Sequence, residues 1–537
     1  MKKFKYSVAL LVAPLLISCG GPGEVDFNFS APTIDVESID VSSLNLKRDT
    51  LTGEIAQSES DVYFDFYEVS DYHGAVNYST EEETIGLARL GDYFKKKRAE
   101  NPGGTIVLSS GDMYQGSAES NLTHGYIVNY AMNIMGFESM TVGNHEFDWS
   151  VDWLRKNQAL KVEEHQIPYL GANVYDKATG KILDFLKPSI TIERGDYKVG
   201  IIGTIGDGAD SAIMKSLVEG LEFKGELAIA KAEAAKLREE GCDIVIWSSH
   251  KDVSELSSYG LSKTSGIDVV FGGHSHKNAP SEGEETMYID GIPFLETKSY
   301  GKGISHARVT LDKATKEVKA VVGETDTKPY AYAGLEEHSE VKKVMDLYNE
   351  YIDPIKHKVI GSTDAELDVS DTFSLTNLCV DTMALAANQW GKTNGEIKVV
   401  ASFHNAKGGV RANIAAGEIK FENVYKSFPF DNEICVIKTT GKKLKNYFNK
   451  AGNYGVWIDT NEIGTMDKID DAKEYYFTTT DFMATSSNFA FKLKDADLVR
   501  TGYIVRDAVA ARIQSNQNIK ASNFVRSGNP QFSTPTK

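Results

Sequence analysis

The stretch Met140-Thr141-Val142-Gly143-Asn144-His145-Glu146 decides how this chain is read. A short apolar run with strand character meets a glycine, then delivers an amide, an imidazole and a carboxylate in succession. Glycine lets a backbone turn sharply and approach a ligand closely. Four more runs end in similar clusters. Val69-Ser70 leads into Asp71-Tyr72-His73, and Ile106–Ser110 leads into Gly111-Asp112. Asp268–Phe271 leads into Gly272-Gly273-His274-Ser275-His276, and Ile244–Ser249 ends at His250. In α/β sheets, ligands bind outside the carboxyl ends of the strands. Five strand ends carrying Asp, His and Asn therefore predict one composite site on one rim.

The surrounding pattern agrees. From about Val62 to Val322, β-rich runs such as Thr105–Ser109 and Lys198–Ile205 alternate with helical patterns such as Leu227–Glu240, which Gly241 closes as a C-cap. The alternation predicts a layered α/β domain over residues 61–335. Residues 336–360 carry a stripe of Val341, Val344, Met345, Leu347, Tyr348 and Tyr351, which predicts a linker helix that Pro354 breaks or kinks near its end. A second α/β domain is expected over 361–528, with helices at Asn377–Gln389 and Val505–Gln514 and a frayed tail at 529–537.

With 537 residues, 41% hydrophobic, the chain has the composition of a globular protein of two or more domains. A net charge of −18 argues against a nucleic-acid polymer as partner. It also raises a question, because such a surface repels anionic substrates unless something local inverts the field. At the N-terminus, Lys2, Lys3 and Lys5 precede an apolar run from about Val8 to Ile17, too short for an ordinary membrane span. The run closes on Leu16-Ile17-Ser18-Cys19-Gly20, which resembles a bacterial lipoprotein signal over residues 1–19 with Cys19 as the lipidated residue. The expected location is therefore the periplasmic or extracellular face of a bacterial membrane. Residues 20–60 are Gly-, Ser- and Asp-rich and read as a tether, with alternation at Ile34, Val36, Ile39 and Val41 fitting a short strand. Cys242, Cys379 and Cys435 read as buried hydrophobes, with a Cys379–Cys435 pairing open.

Mixed imidazole, carboxylate and amide donors suit Zn, Mn or Fe. The alternating His274-x-His276 pair splays its rings onto two neighbouring ions if it sits in a turn. Five of the eleven histidines fall in the clusters; His124, His165, His306, His338, His357 and His404 read as structural.

On these residues the chain resembles the calcineurin-like metallophosphoesterases, and within them the bacterial 5′-nucleotidase/UDP-sugar hydrolase family. The resemblance implies a four-layer αββα catalytic domain, a linking helix and a C-terminal α/β domain that supplies substrate contacts. It implies two divalent metal ions: one held by Asp71, His73, Asp112 and His276, the other by Asp112, Asn144, His250 and His274. His145 resembles the catalytic histidine and Asp148 its orienting partner. The implied reaction is hydrolysis of nucleotides or related phosphate esters by a metal-activated hydroxide.

In the second half, Thr376-Asn377-Leu378-Cys379-Val380-Asp381 resembles the family's TNLxxD helix start, and Gly408-Gly409-Val410-Arg411 the end of its phosphate loop. Phe428-Pro429-Phe430 and Asp481-Phe482-Met483-Ala484 resemble segments whose rings sandwich a nucleobase, implying Phe430 and Phe482. Three departures mark this chain. The loop Asn position is Ala406, with Asn405 one place off; acidic Asp364, Glu366, Asp368 and Asp371 stand where the family has arginines; and the GGDGF motif becomes Ser486-Ser487-Asn488-Phe489. Lys407 is the expected substitute for a missing arginine, and Asn488 the sugar contact. The alternatives are a cyclic-nucleotide phosphodiesterase, a nucleotide-sugar hydrolase, or a non-catalytic lipid-anchored binding protein.

Overall fold

Strand Asp61–Val69 pairs in parallel with Thr105–Ser109 on one side and antiparallel with Ile304–Asp312 on the other. Ser139–Thr141, Tyr169–Leu170 and Leu186–Lys187 continue the parallel side, and Val318–Asp326 closes the other, giving seven strands. A second sheet of six strands has Tyr197–Ile205, Ile244–His250 and Val269–Phe271 in parallel at its centre. This computed structural model describes residues 25–29, 32–49, 52–451, 454–464, 466–494 and 497–525, without the side chains of Lys407 and Tyr454. The expected signal, Cys19 and the 529–537 tail lie outside the described residues.

The central strands are apolar on both faces because both faces are covered. Phe64, Phe66, Ile106 and Leu108 of the first sheet meet Ile201, Ile246, Val269 and Phe271 of the second in one buried cluster. Helices Leu87–Glu100 and Tyr126–Met135 lie outside the first sheet, and Glu226–Glu239 lies outside the second. The result is four layers, αββα. The second half is a five-stranded mixed sheet centred on Glu474–Thr480, with helix Ser374–Thr393 buried against strand Val399–Asn405.

Several local expectations change. The linker helix runs Ser339–Lys356 with Pro354 inside it. Proline removes one backbone donor, but His357 and Lys358 still donate to Asp353 and Ile355, so the last turn closes. The helices read at 377–389 and 505–514 extend to Ser374–Thr393 and Val505–Asn516. The alternation near residue 36 is not a strand. Val36–Ser38 and Val41–Leu44 form 3-10 turns, the second capped by the Asp40 carboxylate. Nor do residues 25–29 and 32–49 form a loose tether. Val25, Phe27, Val36, Ile39 and Val41 are buried. Phe27 and Phe29 meet Tyr503 and Phe421 in the second half, while Glu37, Lys47 and Asp49 pair with Lys156, Glu163 and Arg98 in the first. Cys379 and Cys435 are buried and not joined by a disulfide, so that pairing does not form.

Candidate metal centre and substrate cavity

The strands Asp61–Val69, Thr105–Ser109 and Ser139–Thr141 of the first sheet, and Ile244–His250 and Val269–Phe271 of the second, bring their carboxyl ends to one rim. Asp71, His73, Asp112, His274 and His276 all adopt left-handed backbone there, with φ between 48° and 75°. That conformation costs a non-glycine residue about 1–2 kcal/mol. Tertiary hydrogen bonds hold it. The Asp71 N–H donates to the Gly111 carbonyl at 2.9 Å, and the His73 N–H to that of Asp112 at 3.0 Å. The His274 N–H donates to the Asp71 carboxylate at 2.9 Å. Gly143 is required by proximity, since a Cβ there would lie 2.2 Å from Asp112 Oδ1.

The side chains converge. His250 Nε2 lies 3.0 Å from Asp112 Oδ2, and His276 Nε2 lies 3.4 Å from Asp71 Oδ1 and 3.0 Å from His73 Nε2. His274 Nδ1 lies 2.9 Å from Asn144 Oδ1. Three groups can each hold a metal ion: Asp71 with His73 and His276; Asp112 with His250 and His274; and His73 with Asp112 and His145. The expected splay is present, with His274 and His276 in different groups.

The donor chemistry fits metal binding. His73 Nδ1 and His250 Nδ1 each face a backbone carbonyl, of Gln115 and Ser110, at 2.8 Å. A carbonyl only accepts, so both Nδ1 atoms carry hydrogen, leaving Nε2 of each neutral ring to present its lone pair to the centre. Burial and the Arg411 guanidinium push His276 down to about 3, keeping that ring neutral. Burial opposes charge on His250, but Asp112 raises it to about 10; a cation bound beside Asp112 would displace that second proton and leave the ring neutral. His145 Nδ1 lies 2.8 Å from Asp148 Oδ2. Burial again opposes charge, but Asp148 and Asp112 raise this histidine.

Two carboxylates here escaped sequence reasoning. Glu146 accepts from the N–H groups of Asp112 (2.7 Å), Met113 (2.8 Å) and Gly143 (2.7 Å), clamping the two strand ends together. Burial and Asp112 push it up to about 7. Glu296 accepts from the Val253 and Ser275 N–H groups and the Ser275 hydroxyl, and burial pushes it up to about 8. Glu146 stands beside His145 in the motif itself, but its distant partners carry no sequence signal.

A cavity of 410 Å³ lies over this centre, between the two domains. The first domain contributes Asp112, Asn144, His145, Asp148, His274 and His276; the second contributes Asn405, Arg411, Phe430, Phe482 and Asn488. Asp71, His73 and His250 lie deeper, buried at 0–2% exposure. Phe430 stacks on the His145 ring at 5.6 Å, and the Arg411 guanidinium lies 5.2 Å from the Phe430 centroid. No described carboxylate pairs with Arg411. Gln115 and Asn121 both donate to the Pro429 carbonyl at 2.8 Å and seat this loop on the first domain. The side chain of Lys407 lies outside the described atoms. Trp149, Met214, Leu217, Asn432 and Phe489 also line the cavity and were not anticipated. Asp368, in the acidic stretch, accepts from the Ser370, Asp371 and Thr372 N–H groups, and Asp364 accepts from that of Ala521. The six other histidines stand elsewhere: His124 stacks on Trp153, His338 caps the linker helix, and His306 lies between Asp65 and Glu324.

The calcineurin-like phosphoesterase family model matches residues 64–278, the part of the chain that supplies the metal-binding groups. Over those residues the chain carries a calcineurin-like phosphoesterase domain. The family uses two divalent metals, and this phosphoesterase is accordingly a metal-dependent hydrolase. A 5′-nucleotidase C-terminal domain matches residues 359–492. Protein UshA of Escherichia coli (strain K12) is 25% identical over 519 residues, covering 86% of this phosphoesterase and 92% of UshA. A 5′-nucleotidase of Vibrio cholerae is 22% identical, covering 86% and 91%. The crystal structure of a 5′-nucleotidase precursor from Thermus thermophilus superposes with a TM-score of 0.70 at 20% identity, over 88% of this chain and all of that one, and so shares the fold.

Proposed function

We propose that this phosphoesterase is an exported 5′-nucleotidase, held at a bacterial membrane through Cys19, with a catalytic domain over 61–335 and a substrate domain over 361–528. The observation that carries the reading is the cavity over the metal-binding rim. It joins the metal-binding rim of one domain to an arginine with no described carboxylate partner and to aromatic rings of the other. In this reading Asp71, His73, Asp112 and His276 hold one divalent cation, and Asp112, Asn144, His250 and His274 the second. When bound, two such cations supply Lewis-acid charge to the phosphoryl group and acidify the attacking water.

The chain's own groups do the rest. Arg411 meets a phosphoryl oxygen as a fixed cation, its charge uncancelled by any described carboxylate. His145, oriented by Asp148 through Nδ1, has Nε2 free to neutralise developing charge or to donate a proton to the leaving oxygen. Phe430 and Phe482 hold the base, and stacking of this kind contributes about 1–3 kcal/mol per base. Asn488 meets the sugar hydroxyls, while Asn405 and Lys407 belong to the phosphate loop. Purified full-length protein, stripped by chelator and reloaded with Mn or Zn, should release phosphate from nucleoside 5′-monophosphates only when metal is restored. Release from cyclic nucleotides or nucleotide sugars alone would overturn the substrate assignment, and no hydrolysis of any phosphate ester would favour the binding-protein reading. Cys19→Ser should abolish acylation, read by mass spectrometry of the mature N-terminus.

A further inference from the structure

The substrate cavity has a wall that none of the expected contacts accounts for. Beyond strand Tyr197–Ile205, residues 207–218 of the catalytic domain form a 3-10 turn at Ala209–Ser211 and a short helix at Lys215–Val218. Ile213 and Val218 are buried at 2% and 4% exposure and anchor the segment in the catalytic core. Around those anchors Ala212, Met214 and Leu217 line the cavity that Phe482 and Phe489 line from the other domain. The Ser486 hydroxyl donates to the Ser211 carbonyl at 2.7 Å and ties the segment to the C-terminal domain. Ser486 opens the departed motif Ser486-Ser487-Asn488-Phe489; a glycine there has no hydroxyl to donate. Phe489, from the same motif, meets Phe482 edge-on at 5.6 Å.

We propose that residues 207–218 form the specificity wall of the cavity, with Met214 and Leu217 contacting the base of the substrate and the Ser486 hydroxyl latching the wall against the C-terminal domain. The proposal rests on the nucleotidase reading of the site. A thioether on three rotatable bonds follows the face or edge of a planar ring closely. Apolar contact from this wall is lost when the leaving group is a bare sugar, so the wall selects for the base and offsets the neutral sugar contact at Asn488. These residues discriminate between substrates and take no part in proton transfer.

The test compares a nucleoside 5′-monophosphate with ribose 5-phosphate, which differ only by the base, on full-length metal-loaded protein. Met214→Ala and Ser486→Gly should each reduce the preference for the nucleotide, expressed as the ratio of kcat/KM values, by about 10-fold. Ser486→Thr, which keeps the hydroxyl, should retain the wild-type ratio. Ratios unmoved in both Met214→Ala and Ser486→Gly, with the wild type active on the nucleotide, would overturn the wall alone. A wild type that hydrolyses no nucleotide would overturn the functional reading beneath it.

Discussion

Asp112 belongs to two of the three metal-binding groups, and its Oδ1 also accepts from the His145 N–H at 2.8 Å. One carboxylate thus joins the two halves of the centre to the turn that carries the histidine. Replacing it by alanine removes a donor from both sites and frees the His145 backbone. Asp112→Ala should therefore lose bound metal and lower turnover by at least about 1,000-fold. In the proposed assignment His145 acts beside the metals rather than holding one, so in His145→Ala metal content by elemental analysis should stay near wild type while kcat falls about 100- to 10,000-fold. Wild-type turnover in both variants would remove the centre from catalysis. At this scale much was legible, because Asp, His and Asn at strand ends have few structural uses. What was hidden is the left-handed backbone of five of these residues, and Glu146 beneath them. Both depend on contacts between segments far apart in the chain, which no local pattern encodes.

Between elements, the first sheet carries a charged cluster far from the metals. His306 on strand Ile304–Asp312 lies 2.9 Å from Asp65 Oδ1 on one neighbouring strand and 2.9 Å from Glu324 Oε1 on the other, with its ring stacked on Tyr67. Burial disfavours its charge, but hydrogen bonds to Asp65 and Glu324 outweigh burial and raise its pKa. Asp65, also bonded by Arg308 and Asn101, is held well below the usual carboxylate range despite burial. A raised histidine contributes stability that is fully present below its unfolded pKa and is lost as pH rises through its folded pKa. His306→Asn should therefore destabilise the protein by about 1.5 kcal/mol at pH 6 and by less at pH 9, read by urea unfolding. An equal effect at both pH values would show that folding leaves the His306 pKa unshifted. Helix and strand order was legible from periodicity, since buried parallel strands and an amphipathic linker leave a strong pattern. Pro354 was not, because a proline near a helix end spares the final hydrogen bonds.

At the scale of the whole molecule, the charge of −18 loses its force as an objection to an anionic substrate. Asp364 and Asp368 are engaged by backbone N–H groups of their own turns or of Ala521, and Arg411 stands beside the metal-binding rim with no described carboxylate against it. The field at the cavity is set by those few groups, over a range of about 8 Å in physiological salt. The least legible feature at this scale is the segment 25–49. Its Ser- and Asp-rich composition reads as a tether, and its scattered apolar residues acquire meaning only from the surfaces they meet. Phe27 and Phe29 rest on Tyr503 and Phe421 of the C-terminal domain, while Asp49 bonds His338 at the head of the linker helix and pairs with Arg98 of the catalytic domain. The segment therefore straps the two domains together across the linker. Phe27 is 2% exposed, and losing such a ring costs about 3 kcal/mol. Phe27→Ala with Phe29→Ala should lower the thermal midpoint, and limited proteolysis should then cleave the C-terminal domain before the catalytic domain, whose contacts to Glu37, Lys47 and Asp49 are untouched. Unchanged melting, or simultaneous cleavage of both domains, would mean that the strap lies on the domains without joining them.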